Sequence, residues 1–393
     1  LLDLKKLVII LTFVKFRFDK SLCNFATLKN LKSKLRILAT QHLRTSKKMK
    51  YTTIPNTDIK VSKINLGTMT FGQQNTEAEG HAQMDYALEQ GVNFFDTAEM
   101  YSVPANEATY GSTEKIIGTW FKKTGNRDKV VLASKIAGPN ANFGYMREKL
   151  DFSPASIKYA LENSLKRLQT DYVDLYQMHW PERKTNYFGQ RGFNGYEDAW
   201  EDHFGEILET FDGLIKEGKI KHIGVSNENA WGMMRLLEES KYNNLPRIKT
   251  VQNPYNLLNR LFEVGSAEVS KYENVGLLAY SPLAFGILTG KFLTGEEHPN
   301  SRIKLFPQYT RYNSEQCTQA TKLYQEIAKK HGLSLTELAM GFVLQQPFLT
   351  SAIIGATTME QLKENIATID VVLSKEIIAE INHVQAIIPD PAP

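Results

Sequence analysis

The sequence predicts an α/β fold, a (β/α)8 TIM barrel with an N-terminal β-hairpin and an extra C-terminal helix. From Ile64 onwards, eight short apolar runs alternate with stretches of helical spacing. That is the pattern of a parallel sheet whose strands are joined by helices. The alternative, an open doubly wound sheet, calls for a G-x-G-x-x-G turn after the first strand. Only Gly67 and Gly72 stand there. No repeat or linker divides residues 50–393, so one domain is expected over 49–393.

The elements follow in order. Tyr51–Ile54 and Ile59–Ser62 flank Pro55-Asn56-Thr57-Asp58, a turn composition, and read as the hairpin. Ile64–Gly67 is the first barrel strand, and the helix Glu77–Gln90 ends at Gly91. Asn93–Asp96 is the second strand; its helix, Ser112–Thr124, is expected to be capped by Ser112 and stopped by Gly125. Val130–Lys135 is the third strand, and Ser153-Pro154 opens a helix that runs to Leu168. Val173–Met178, Ile220–Ser226, Thr250–Gln252, Gly276–Ser281 and Ala352–Gly355 are the remaining strands. Their helices lie near Glu206–Glu217, Ala230–Ser240, Glu263–Tyr272, Ser314–Lys330, Ser334–Gln345 and Met359–Ile369, and Lys375–Val384 is the extra one. Three long loops follow strand C-termini, at Pro139–Phe152, Pro181–Asp202 and Leu283–Asn313. In a barrel these stand over the site and shape access to it.

Composition bounds the function. A chain with 42% hydrophobic and 23% charged residues is an ordinary globular one. The net charge of +4 is unevenly placed: residues 1–48 carry twelve Lys or Arg against Asp3 and Asp19, which leaves the remainder at −6. A mildly acidic body argues against nucleic acid as a partner. Only Cys23 and Cys317 are present, which excludes a disulfide framework and a Cys-rich metal centre and suits a reducing, cytoplasmic setting. The apolar run Leu7–Val14 is too short to span a bilayer, so no transmembrane segment is expected. Residues 1–48 read as a basic extension outside the fold, either upstream or appended sequence ahead of Met49, a targeting segment or a tail.

Chemistry gathers where strands end. Asp96 closes the second strand and Tyr101 lies on the loop beyond; Lys135 closes the third; His179 follows the fourth in Gln-Met-His-Trp-Pro. Singly, such a lysine is a solvated charge and such a histidine a satisfied core residue as readily as a functional group. Four titratable groups at matching strand ends are another matter. Reducing a carbonyl with a hydride requires a proton for the developing alkoxide, and a free phenol is a weak acid for that task. A neighbouring ammonium is expected to lower the phenol pKa, with Asp96 holding Lys135 in place and His179 orienting a substrate oxygen.

These residues resemble the tetrad of the aldo-keto reductases. The likeness extends to Glu217-Gly218-Lys219-Ile220 with Ile223-Gly224-Val225-Ser226-Asn227, to Tyr280-Ser281-Pro282-Leu283, and to Ile354-Gly355-Ala356-Thr357 with Gln361, Glu364 and Asn365. Within that family the chain is similar to the bacterial Tas-like reductases and, more distantly, to the potassium-channel beta subunits. The resemblance implies an NADP(H)-dependent reduction of an aldehyde or ketone, a small-molecule carbonyl substrate, with Tyr101 as general acid. It implies that Ser226, Asn227 and Gln252 hold the nicotinamide carboxamide and that Tyr280 stacks on the ring. Ser281, Pro282, Leu283, Gly286 and Lys291 would follow the pyrophosphate, and Arg302, Gly355, Thr357, Gln361, Glu364 and Asn365 the adenosine and its 2′-phosphate. Gly67, Thr68 and Met69 after the first strand, with Asp96, complete the expected cofactor site; no metal is expected. Two other readings are a redox-sensing regulatory subunit that binds NADP with little turnover, and a barrel aldolase with Lys135 as a Schiff-base nucleophile.

Overall fold

Helix starts are set by side chains that accept from otherwise unpaired backbone N–H groups. In the computed structural model, which describes residues 49–392, Thr76 and Glu79 form a reciprocal capping box at α1 (Glu77–Glu89). Ser153, with Pro154 in the first turn, caps α3 (Pro154–Leu168). The expectation for residues 1–48 lies outside the described residues. At α2 (Ser112–Thr124) the capping expectation fails: Ser112 is the first helical residue, and the preceding Gly111 is left-handed and offers no side-chain cap. The helix start is fixed instead by Thr113, whose buried hydroxyl donates to the Phe71 carbonyl. Gly125 ends the helix in the left-handed region as expected.

The strands are β1 (Tyr51–Thr53) and β2 (Lys60–Ser62), which pair antiparallel, then β3 (Ile64–Gly67), β4 (Phe94–Asp96), β5 (Val131–Ile136), β6 (Val173–Met178), β7 (Ile220–Ser226), β8 (Ile248–Pro254), β9 (Gly276–Tyr280) and β10 (Leu349–Ile354). The last eight close into a parallel barrel in which β10 pairs with both β9 and β3. Outside it run α4 (Phe204–Lys216), α5 (Ala230–Asn243), α6 (Ser266–Tyr272), α7 (Arg302–Leu305), α8 (Glu315–Lys330), α9 (Leu335–Leu344), α10 (Met359–Ala367) and the extra α11 (Lys375–Ile387). Strand β8 is longer than the expected Thr250–Gln252, because Lys249 and Asn253 interrupt the apolar pattern on either side of it. In β10, Ser351 is buried, its hydroxyl donating to the Ser62 carbonyl. Among the described residues no helix is long and apolar enough to cross a membrane.

Two apolar layers build the barrel, and a third cluster of Ala98, Met100, Tyr101, Ala137, Met146 and Trp180 packs the loops after β4, β5 and β6. Of the two layers, one fills the space between barrel and helices, and the other lies inside the barrel, where Phe94, Ala133, Leu175, Leu278 and Ile353 meet Ile54 and Val61 of the hairpin. The hairpin thus stoppers the N-terminal mouth, tied down by Asn93, which accepts from the Ser62 amide at 2.7 Å and donates to the Lys60 carbonyl at 2.9 Å. Only the C-terminal mouth remains for chemistry.

Candidate active site

Asp96 ends β4, Lys135 is the penultimate residue of β5, and His179 follows β6 directly. Lys135 has no exposed surface, and its ammonium donates to Asp96 Oδ1 at 2.5 Å and to the Thr97 carbonyl at 2.8 Å. The other carboxylate oxygen accepts from Gln252 Nε2 at 2.8 Å and Gln177 Nε2 at 3.4 Å. A buried ion pair survives only when its remaining donors and acceptors are satisfied, and these amides supply that. Lys135 Nζ lies 5.0 Å from the Tyr101 ring centre, and the Tyr101 and His179 rings meet edge-on at 5.6 Å. Full burial and two acceptors leave Lys135 neither access nor a lone pair for a Schiff base.

The electrostatics depart from the simple expectation of an acidified phenol. Burial first, then the charge of Asp96 and then Tyr280, hold Tyr101 well above the usual phenol range, while Arg302 pulls the other way. With its charge matched by Asp96, Lys135 is itself pushed down by burial. Burial, helped by the Lys135 charge, keeps His179 well below the usual imidazole value, so the ring is neutral. Its Nδ1 is buried with no protein partner among the described residues.

A cavity of about 1190 Å³ opens above these groups. Its lining includes Tyr101, Asp96 and His179 together with Gly67, Thr68, Met69, Ser226, Asn227, Gln252, Tyr280, Ser281, Pro282, Leu283, Gly286, Lys291, Arg302, Gly355, Thr357, Gln361, Glu364 and Asn365. Every expected site residue except the sealed Lys135 therefore faces one space. Asn227 is held by three bonds: its amide donates to the His179 carbonyl at 2.8 Å and to Ser226 Oγ at 3.1 Å, and its carbonyl accepts from the Tyr280 hydroxyl at 2.7 Å. Ser226 Oγ in turn donates to the Gln252 carbonyl.

Beyond Tyr280 the chain turns through Ser281, Ala284, Phe285 and Gly286, all at positive φ. A Cβ at Gly286 would sit 3.3 Å from Lys291 Nζ, so a side chain there would crowd the ammonium. At the far end, Thr358 caps α10, and Thr357 donates from both its amide and its hydroxyl to Gln361 Oε1. Asn365 Nδ2 donates to the Gly355 carbonyl at 3.3 Å. Lys291, Arg302 and Arg311 all line the cavity, and among the described residues none has a carboxylate within ion-pair distance. Lys291, Arg302 and the start of α10, which line the same cavity, suit a phosphorylated cofactor. The Arg302 guanidinium touches Met69 Sδ at 3.8 Å and covers Phe285.

Sequence reasoning missed Gln177, Gln74, Tyr309 and Arg311. Gln177 sits in the same Gln-Met-His stretch as His179, and the period of a strand turns it inward. Arg311 lies in a long loop and gives no such signal.

The match to the description "Aldo/keto reductase family" covers residues 63–386. "Protein tas" of Escherichia coli (strain K12) is 50% identical over 351 residues, 88% of this chain and 100% of that protein. "Uncharacterized oxidoreductase YrpG" of Bacillus subtilis (strain 168) is 35% identical over 341 residues, 86% and 96% of the two chains. "Norsolorinic acid reductase B" of Dothistroma septosporum is 28% identical over 346 residues, 85% and 80%.

Proposed function

The chain belongs to the aldo/keto reductase family, and on that premise we propose that this oxidoreductase uses NADP(H) to reduce an aldehyde or ketone, with Tyr101 as the proton donor. The observation that carries the reading is the sealed Lys135–Asp96 pair beneath a phenol, at the floor of a cavity whose cations are unmatched. The nicotinamide, when bound, supplies the hydride. Ser226, Asn227 and Gln252 would hold its carboxamide, and Tyr280 would cover its ring. Lys291 and the turn at Gly286 would take the pyrophosphate; Arg302, Thr357, Gln361 and Asn365 would take the adenosine end.

Tyr101 keeps its proton until a stronger base arrives, because burial and Asp96 disfavour the phenolate. The alkoxide that develops on the carbonyl oxygen is that base. As the proton leaves, the ammonium of Lys135, 5.0 Å from the ring centre, faces the new phenolate charge. Neutral His179 orients the substrate oxygen without competing for the proton.

Tyr101→Phe tests the donor role: carbonyl reduction should fall by about 10²-fold or more while NADPH affinity stays near wild type. Near-wild-type turnover would remove Tyr101 from the reaction. A nucleotide-binding regulatory subunit would bind NADPH equally well but turn over nothing in a panel of small aldehydes, dicarbonyls, aromatic ketones and sugars.

A further inference from the structure

This fold matches its buried arginines with carboxylates. Arg147 pairs with Glu99, Arg167 with Glu114 and Arg183 with Glu228. Arg302 and Arg311 break that rule while lining the cavity, and Arg302 is already assigned to the cofactor. Arg311 Nη1 donates to the Tyr280 hydroxyl at 3.3 Å, and a second bond goes to Tyr312. A guanidinium has five N–H donors, so most are unspent, and Nε is buried with no partner among the described residues. Leaving a buried charged donor unmet is costly, which points to a ligand that meets it.

Position says which ligand. Under the reading proposed above, on which this inference rests, Lys291 and Arg302 serve the cofactor phosphates. Arg311 is at the other end, bonded to the edge of Tyr280, the ring assigned to the nicotinamide. Its guanidinium lies 5.8 Å from the Phe188 ring centre. Phe188 meets Trp180 at 5.9 Å, and Trp180 meets His179 at 4.9 Å. An aromatic wall therefore runs from the catalytic histidine to a free cation. A molecule with its carbonyl at Tyr101 and a flat apolar body along that wall would present its far end to Arg311.

We propose that Arg311 is a substrate-specificity residue that binds an anionic oxygen group, carboxylate or phosphate, carried by the carbonyl substrate at the end remote from the reacting carbon. The planar fork of an arginine fits such groups with paired hydrogen bonds.

The test compares three carbonyls with NADPH: 4-carboxybenzaldehyde, 4-formylphenyl phosphate and the neutral 4-carbamoylbenzaldehyde. The wild type should favour one of the anionic pair over the amide by about ten- to hundredfold in kcat/KM, the range of a charge-assisted hydrogen bond. Which of the two is favoured separates carboxylate from phosphate. Arg311→Gln should abolish the preference through KM, leaving the amide, the melting temperature and the NADPH dissociation constant unchanged. Arg311→Lys should restore part of it. The inference falls if Arg311→Gln keeps the preference, or if it weakens NADPH about tenfold, which would make Arg311 a cofactor residue. Turnover of the amide with no anion preference in the wild type sinks the subsite and leaves the reductase reading standing. If none of the three turns over, the wider carbonyl panel judges the reductase reading, and titration of benzoate against benzamide into the NADP⁺-loaded protein decides the subsite: selective benzoate binding lost in Arg311→Gln supports it, and its absence in the wild type overturns it.

Discussion

Tyr101 holds its proton more tightly than a free phenol because an ionised ring would stand in a buried site beside Asp96. The protonated, competent form should therefore persist through the whole neutral range. Difference absorbance between wild type and Tyr101→Phe should reveal no tyrosinate from Tyr101 below about pH 10, the value of an unperturbed phenol. His179 shows the opposite sign. Its folded value is depressed, so the unfolded chain takes up a proton near pH 6.5 that the folded protein refuses. Stability is thus full above about pH 6.5 and declines as pH falls below it towards the depressed folded value. Melting curves of wild type and His179→Asn should converge as the pH is lowered through that window; half-buried His222, shifted the same way, keeps part of the decline in the variant. The three strand-end members of the tetrad were legible because a strand's C-terminus is a place that sequence can mark. The direction of the Tyr101 shift was not, because it depends on how completely the surroundings exclude water. Arg311 escaped for a related reason: its loop carries no period, so nothing in the sequence says which way the guanidinium points.

Between elements, the loop after β4 must be held against the loop after β5, or Tyr101 and Lys135 drift apart. Glu99 does this. Its carboxylate accepts from the Ala137 amide at 2.6 Å and from Arg147 at 2.7 and 2.9 Å, while Arg147 also donates to the Ala137 carbonyl. Replacing Arg147 by Met strands a buried carboxylate and should cost about 3–5 kcal/mol, read from denaturant unfolding. Helix α2 meets the end of α3 closely at Gly118, where a Cβ would sit 2.8 Å from the Leu168 carbonyl carbon and closer still to the Arg167 carbonyl. Backbone cannot yield as a side chain does, so Gly118→Ala should lower stability by about 1–3 kcal/mol. Most elements were readable from apolar period and capping residues, as Thr76, Ser153 and Gly125 illustrate. Those that were not share a cause. Strands β8 and β10 were read too short, because polar residues flank the part that was found, Lys249 and Asn253 in one and Thr350 and Ser351 in the other, and Ser112 has the composition of a cap without its geometry. The turns at Ala284–Thr289 and Lys291–Leu293 and the short α7 are held by local hydrogen bonds within a long loop, which apolar period does not register.

As a whole, the described molecule is one barrel with one mouth. Residues 49–392 contain both apolar layers and every group assigned above, so a protein lacking residues 1–48 should melt and turn over as the full chain does. A large fall in melting temperature on that deletion would mean that the extension takes part in the fold. NADPH and NADH dissociation constants, compared on the same shortened protein, should differ by at least about tenfold if Arg302 and Thr357 meet a 2′-phosphate. Equal affinities would remove that assignment.

The closure of the barrel by β10 against β3 has a consequence for the protein's birth. Ala352 pairs with Ile64, the last barrel strand with the first, and the cavity's lining runs from Gly67 to Asn365. On the ribosome, Asp96, Tyr101 and Lys135 emerge early and wait, while the strand that completes the ring and the helix start that ends the cavity come only after the seven other barrel strands. No nascent fragment owns a finished pocket. Cofactor affinity should arrive only once β10 has emerged, and a message cut short before it would yield a polypeptide carrying Tyr101 on an open ring.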